Sequence, residues 1–232
     1  MSLLEVCTAV ADECGFAAPS QIIGSADDTA VQLLALANKS GRLLARKPWQ
    51  VLQKEHTFST VDATADYALP SDFGWYINDT VWDRTDYWKM RGSLSPSEWQ
   101  VYKSGIATST PRSRFRVKAG RLYIDPTPSS VRSIVLEYVS KQWASNSTGD
   151  TFAVAFAADT DTTRFDELLL QLDLTWRYLA RKGLAYAEEK AEAEAQIELA
   201  LAHDTPSPTL SQAGDHRAVF PPLPTWRGTG LG

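Results

Sequence analysis

Apolar residues recur at helical spacing at both ends of the chain, and short stretches of alternating apolar and polar residues occupy its middle. Residues 2–15 begin with a Ser-x-x-Glu capping signature, continue with apolar positions three and four apart, and end at Gly15. Residues 25–28 repeat a capping signature ahead of a second apolar face, which stops before Pro48 because the residue preceding a proline disfavours the helical conformation. Residues 1–50 are therefore predicted to form a helical hairpin with one apolar side.

The middle of the chain, residues 51–150, carries the signature of short strands separated by turns. β-Branched and aromatic residues alternate with polar ones in five stretches, residues 53–60, 75–83, 112–118, 121–125 and 133–143. Ala119-Gly120 predicts a tight hairpin turn, and residues 95–105 predict a short capped helix among the strands. This part is predicted to be a small antiparallel β region.

The last periodic segment, residues 160–203, is predicted to be one long helix. Apolar residues recur every seven positions from Phe165 onward, first with bulky side chains and then in a run rich in Ala and Glu. A continuous helix of this length would span about 60 Å. We expect its first half to pack on the N-terminal hairpin and its second half to project or to pack against a neighbouring chain, with Gly183 as the candidate position of a bend.

Residues 204–232 are predicted to be an extended tail. The tail contains five prolines and ends in a glycine-rich stretch, yet it carries Phe220, Leu223 and Trp226, whereas disordered linkers are usually poor in such groups. A binding segment is favoured over a plain disordered tail. The predicted fold is thus α+β but mainly helical: a helical bundle of the N-terminal hairpin and the long C-terminal helix, with an inserted small antiparallel β region and an extended C-terminal tail.

Composition places the chain in an ordinary globular class. It has 232 residues, 44% of them hydrophobic, and a formal net charge of −5, which argues against binding nucleic acid by phosphate neutralisation. It contains no apolar run long enough to predict a membrane span, and its first residues do not resemble a signal peptide, so we expect synthesis in a cytoplasm. Cys7 and Cys14 are expected to be reduced thiols.

The sequence carries no recognisable catalytic, cofactor or metal motif. None of the three histidines, His56, His203 and His216, is spaced to bind a metal with a cysteine or a second histidine, and no phosphate-binding loop, dinucleotide fingerprint or nucleophile elbow is present. We therefore predict no catalytic residue, no cofactor and no metal, and a protein that is not an enzyme.

One segment offers an enzymatic alternative. Residues 75–88 interleave carboxylates with aromatic rings, a combination that suits glycan binding or glycan cleavage. The simpler interpretation is a strand whose aromatic residues fill a core, followed by a turn whose aspartates accept hydrogen bonds from backbone amides.

A basic row lies in the predicted strand at 112–118. Alternation sends Arg112, Arg114, Arg116 and Lys118 to one face, which is interpreted as a solvated face guarding a sheet edge, with nucleic-acid contact as the alternative.

Several motifs in the middle of the chain resemble those of bacteriophage head-to-tail adaptor (connector) proteins, which occupy the neck between portal and tail. The motifs are YALPSDFGWYIN at 67–78, VWDR at 81–84, LSPSEW at 94–99, RLYIDP at 121–126 and LEYV at 136–139. The order of elements over residues 1–203 is similar as well.

The resemblance implies a virion protein of the neck that takes part in genome packaging and DNA ejection. It implies a homo-oligomeric ring, commonly of twelve subunits, that binds the portal and tail or nozzle proteins. DNA would pass through this ring without sequence-specific binding. An acidic channel lining would suit this passage, and the residues expected to supply it are Glu188, Glu189, Glu192 and Glu194. The β region is expected to face the tail through Asp83, Arg84, Asp86 and Trp88.

The family's C-terminal extension reaches along the portal. In this chain the portal-binding residues are expected to be Phe220, Pro221, Pro222, Leu223, Pro224, Trp226 and Arg227. Two alternatives stay open beside the adaptor interpretation: a glycan-binding or glycan-cleaving tail component, and another neck or minor tail structural protein.

Overall fold

The computed structural model describes residues 1–104 and 112–204. Within these ranges lie five α-helices: α1 (Leu3–Cys14), α2 (Asp28–Leu44), α3 (Pro96–Lys103), α4 (Glu167–Lys182) and α5 (Ala187–Asp204). The strands are β1 (Gln53–Ser59), β2 (Asp66–Ala68), β3 (Phe73–Tyr76), β4 (Trp82–Asp83), β5 (Trp88–Lys89), β6 (Arg114–Lys118), β7 (Arg121–Asp125), β8 (Ser133–Ser140), β9 (Ala144–Ser145), β10 (Phe152–Ala153) and β11 (Thr162–Thr163). A short 3₁₀ turn, Gln50–Leu52, links α2 to β1.

The prediction of a mainly helical bundle is wrong. Helices hold 38% of the described residues and strands hold 22%, arranged in three antiparallel sheets, so the fold is α+β with a substantial sheet component. The sequence pattern underestimated this component because β9, β10 and β11 are only two residues long and pair with each other in a region predicted to be mostly connection.

The long C-terminal helix is also a wrong prediction. Gly183 adopts a left-handed conformation with a φ of 72° and caps the end of α4, and α5 begins four residues later. The short connection folds α5 back along α4 as a helical hairpin, so the Ala- and Glu-rich half packs on its own chain instead of projecting. Gly183 was the predicted position of a bend, but it ends the helix completely.

The predicted capping boxes of α1 and α3 are confirmed, whereas the signature at 25–28 is shifted, because Asp27 and not Ser25 caps α2. Ser2 and Ser95 form capping boxes with Glu5 and Glu98. The predicted hairpin is present as β6 and β7, and its turn residues Ala119 and Gly120 both have positive φ, as a two-residue hairpin turn requires.

Strand β8 is the centre of the largest sheet. It pairs antiparallel with β1 along one edge and with β3 and then β4 along the other, while β5 extends the sheet beyond β4. The predicted strand at 75–83 is therefore two strands, separated by a turn in which Asp79 has a positive φ of 68°.

Two groups of buried side chains stabilise the molecule, and β8 contributes to both. The helical core gathers α1, α2, α4 and α5 around Leu33, Leu170, Leu174 and Trp143. The sheet core gathers Phe115, Leu122, Ile124, Ile134 and Leu136 between the five-stranded sheet and the β2–β7–β6 sheet. Within the described residues, no helix has the length and apolar content needed to span a membrane.

Candidate interaction surfaces

The turn between β4 and β5 contains the residues expected to face the tail. Asp83 is buried at 2% exposure, and its Oδ1 accepts hydrogen bonds from the backbone amides of Thr85 and Asp86 at 2.9 and 3.1 Å. Its Oδ2 accepts a hydrogen bond from Arg132 at 3.0 Å, and the same guanidinium binds Asp86. The two aspartates therefore shape a turn around one arginine, which matches the structural interpretation of this segment.

This geometry does not favour glycan chemistry at the pair. Both oxygens of Asp83 are engaged by donors of the chain, and its side chain is 3% exposed, so a sugar has no access to that carboxylate. Asp86 is exposed, but its carboxylate is paired with the Arg132 guanidinium that also binds Asp83.

The exposed part of the same hairpin is aromatic. Trp88 is 39% exposed and stacks on the guanidinium of Arg112 at 4.5 Å, and Arg84, four residues earlier in the chain, is exposed as well. Tyr87 is 83% exposed and has a positive φ of 58°. Sequence reasoning missed Tyr87, although its position between Asp86 and Trp88 in a turn was a signal for an exposed aromatic residue.

The basic row of β6 does not form one solvated face. Arg114 is buried at 9% exposure with its guanidinium 3.5 Å from the ring centroid of Tyr102, whereas Lys118 is exposed. Burial changes along the strand because α3 covers its beginning. The expectation of a uniformly solvated basic face is therefore wrong.

A buried carboxylate explains part of the YALPSDF motif. Asp72 accepts hydrogen bonds from Lys54 at 2.7 Å and from the hydroxyls of Tyr138 and Ser140 at 2.9 Å each. Burial alone would raise the pKa of Asp72, but these hydrogen bonds outweigh it and lower the pKa below its ordinary value. Burial and the neighbouring Asp72 raise the pKa of Tyr138 to about 12. The motif thus anchors β3 to the central strand.

The four glutamates expected to line a channel lie on α5 but do not share one face. Glu188 and Glu192 are four residues apart and lie on the same exposed side, whereas Glu194 is about 160° away from Glu192 around the helix axis. Glu194 lies 3.6 Å from Lys190, and Glu189 is half-buried. The inner face of α5, built on Ala193 and Ile197, packs in the helical core.

The cysteines are not poised for chemistry. Burial, with a contribution from Asp159, raises the pKa of Cys7 to about 12, and burial raises the pKa of Cys14 as well, so both remain protonated thiols near neutral pH. Among the described residues, no group of three or more His, Cys, Asp or Glu side chains converges to hold a metal ion. The expected portal-binding residues between Phe220 and Arg227 lie outside the described residues.

In the described residues, carboxylates thus stabilise turns and strands, and aromatic and acidic side chains lie on the surface. The model of the SU10 adaptor protein family matches residues 1–216, and the chain belongs to this family. It is thus a phage structural adaptor and a component of the virion, with partners among the portal and tail proteins of the particle. A search of curated proteins gave no significant match.

Proposed function

We propose that the chain is a head-to-tail adaptor that forms a homo-oligomeric ring between portal and tail and surrounds the path of the exiting DNA. The match to an adaptor family over residues 1–216 is the observation that carries this proposal. In the ring, each subunit binds the portal through its C-terminal segment and presents the β4–β5 hairpin toward the tail.

The C-terminal segment suits portal binding because it combines rigid prolines with large apolar anchors. Phe220 and Trp226 flank the Pro-Pro-Leu-Pro string, and Arg227 adds a cation. A proline-rich segment has less conformational entropy to lose on binding, and ring repetition multiplies a modest affinity per subunit.

Electron microscopy of the purified protein mixed with portal tests this function. We expect a closed ring on one face of the portal. Deletion of residues 205–232, or the pair Phe220→Ala and Trp226→Ala, should abolish the decoration, since aromatic anchors contribute about 2 kcal/mol or more each. Leu210→Ala, outside the proposed anchor string, is the matched control. A protein that stays monomeric with portal, or a truncated protein that still decorates it, would contradict the proposal.

Helix α5 suits the channel because carboxylates repel DNA phosphates and let the duplex slide. Only one side of the helix can face the lumen, and we assign that side to Glu188 and Glu192, which lie together and are exposed. Glu189 and Glu194 are then peripheral to the lining.

A charge-reversal experiment tests this assignment. Replacing Glu188 and Glu192 by lysine should leave particles assembled but slow DNA ejection several-fold, because the lumen would then bind phosphate. Glu194→Lys is the control, since this residue is on the opposite side and its side chain is 63% exposed. Equal slowing by the control, or no slowing by the pair, would show that α5 does not face DNA through this side.

A further inference from the structure

A cleft of about 440 Å³ opens where the end of α5 meets the start of α4. Its floor is apolar, with the side chains of Trp49, Phe165 and Leu169, and Val51 stands at its rim with 44% exposure. Its remaining lining residues are Arg164, Asp166, Ala200, His203 and Asp204. This volume is within the range of sites that hold a ligand or a short peptide stretch.

The polar groups of the cleft are largely engaged already. Arg164 donates to the backbone carbonyls of Gln142 and Val51, and its guanidinium lies 4.3 Å from the ring centroid of Phe152. Asp204 accepts a hydrogen bond from the backbone amide of Gln50 at 2.6 Å. The side chain of Asp166 caps the backbone amide of Leu168. The guanidinium of Arg164 is thus occupied within the chain, and the apolar floor is the part of the cleft that an extended segment can cover.

The chain itself leaves the described structure at this cleft. Asp204 is both a lining residue and the last residue of α5, and the hydrogen bond from Gln50 fixes its position. The next four residues are Thr-Pro-Ser-Pro at 205–208. They reach at most about 14 Å from Asp204, which keeps them beside the cleft.

Proline chemistry matches what the cleft offers. Pro206 and Pro208 have no backbone N–H to leave unsatisfied, and both fix φ near the extended polyproline conformation. Extended proline segments typically bind to aromatic-lined grooves, and Trp49 and Phe165 supply aromatic rings here.

We propose that residues 205–208 dock in this cleft of their own subunit, with Pro206 and Pro208 against its apolar floor. The docked stretch holds the start of the C-terminal segment at a fixed position on its subunit. Only the residues after 208 are then free to reach a partner. This inference goes beyond the proposed portal contact and does not depend on it.

Thiol labelling of the isolated full-length protein tests the docking. Cys14 is replaced by alanine, and Cys7 is buried with its pKa raised to about 12, so neither competes for the reagent. A reporter is introduced as Ser207→Cys, with Ser211→Cys as the matched control farther along the segment. We expect the cysteine at position 207 to react about tenfold more slowly, because labelling would require the stretch to leave the cleft.

Two sets of variants identify the site of protection. Val51→Asp places a charge at the rim of the cleft and should raise the labelling rate at position 207. Val31→Asp on α2 is the control and should leave that rate unchanged, although Val31 is similarly exposed at 52%. The pair Pro206→Gly and Pro208→Gly should also raise the rate at position 207, and these residues follow the last described helix, so the body stays folded. Circular dichroism checks each fold.

Three results would overturn the docking in its own subunit. Equal labelling rates at positions 207 and 211 in the unaltered background would show that the stretch is free. Protection that survives Val51→Asp in a folded protein would place the stretch elsewhere. Protection that grows with protein concentration would show that a second copy covers it. Because no portal is present, none of these results depends on whether the arm binds one.

Discussion

The helical core and the sheet core are stabilised by different means. In the helical core the packing is a match of shapes: a Cβ placed on Gly41 would lie 2.3 Å from ring atoms of Trp143, so the absent side chain makes room for the indole. In the sheet region two buried carboxylates, Asp72 and Asp83, accept hydrogen bonds from donors on several strands and turns. The free-energy cost of removing the indole should therefore not depend on pH, whereas the cost of removing the Asp72 carboxylate should, because its hydrogen bonds lower its pKa in the folded state.

Removing the indole should have the largest effect. Trp143 is fully buried, stacks on Phe165 and meets Phe156 edge to face, and its Nε1 donates to the carbonyl of Val154. Trp143→Ala should lower the free energy of unfolding by about 3–5 kcal/mol, measured by chemical denaturation. Trp88→Ala, at a 39% exposed tryptophan, is the control and should cost far less. If the stability lost in Trp143→Ala differs between pH 7 and pH 5, packing of the indole alone does not explain its contribution.

The strongest test of the ionic account is Asp72→Asn. The amide cannot reproduce the charged acceptor for Lys54, Tyr138 and Ser140, so we expect a loss of about 3 kcal/mol at pH 7 by the same measurement. Tyr138→Phe is the milder control, since it removes one hydroxyl and keeps the charge.

The pH dependence of this network has a definite sign. The pKa of Asp72 is lowered in the folded state from an ordinary value of 3.8, so its contribution is present above that value and is lost as the pH falls through the folded pKa. The free energy of unfolding should therefore change less between pH 5 and pH 3 for Asp72→Asn than for the unaltered chain. Burial lowers the pKa of His56 in the folded state. Protonation of His56 therefore destabilises the fold as the pH falls below 6.5, at a higher pH than the loss of the Asp72 contribution. If the stability difference between pH 5 and pH 3 is the same in Asp72→Asn as in the unaltered chain, Asp72 does not contribute to the pH dependence.

A smaller loss is expected from Gly41→Ala. In an exposed helix this change would stabilise by about 1 kcal/mol, but here the added methyl meets the Trp143 ring, and overpacking should cost about 2 kcal/mol. Combining it with Trp143→Leu should cost less than the sum of the two single changes, because the smaller side chain leaves room for the methyl. Strict additivity in the denaturation data would show that the two positions are not in contact.

Features encoded within a few residues were predictable from the sequence. Capping boxes at Ser2 and Ser95, the stop at Gly15 and the positive-φ turn at Ala119 and Gly120 are all local, and the structure contains each of them. The heptad pattern after Phe165 wrongly predicted one continuous helix. Apolar residues keep their seven-residue spacing across Gly183 in a single helix and in two helices that fold back on each other. Only the left-handed conformation of that glycine decides between the two.

Features that join distant residues were not predictable. Asp72 finds Lys54 and Ser140, which lie 18 and 68 positions away, and Gly41 meets Trp143 only when α2 packs beside the sheet. The glutamates of α5 are a different case, because the separation of Glu192 from Glu194 follows from helical periodicity and could have been predicted. What required the structure is that α5 folds back and packs its Ala193 and Ile197 face on the same chain.

The smallest predicted effect distinguishes the two aspartates of the β4–β5 turn. Asp83 is buried, and its Oδ1 accepts two backbone hydrogen bonds while its Oδ2 accepts one from Arg132. In Asp83→Asn the side-chain NH₂ would replace Oδ2 and cannot accept from Arg132, so the free energy of unfolding should fall by about 1–2 kcal/mol. Asp86→Asn should stay within about 0.5 kcal/mol, because that side chain is 42% exposed and solvent screens its ion pair. Denaturant midpoints measured side by side give the ranking. Equal losses would mean that Arg132 depends on both carboxylates alike, and the sheet region would then be tied by surface charge as much as by buried charge.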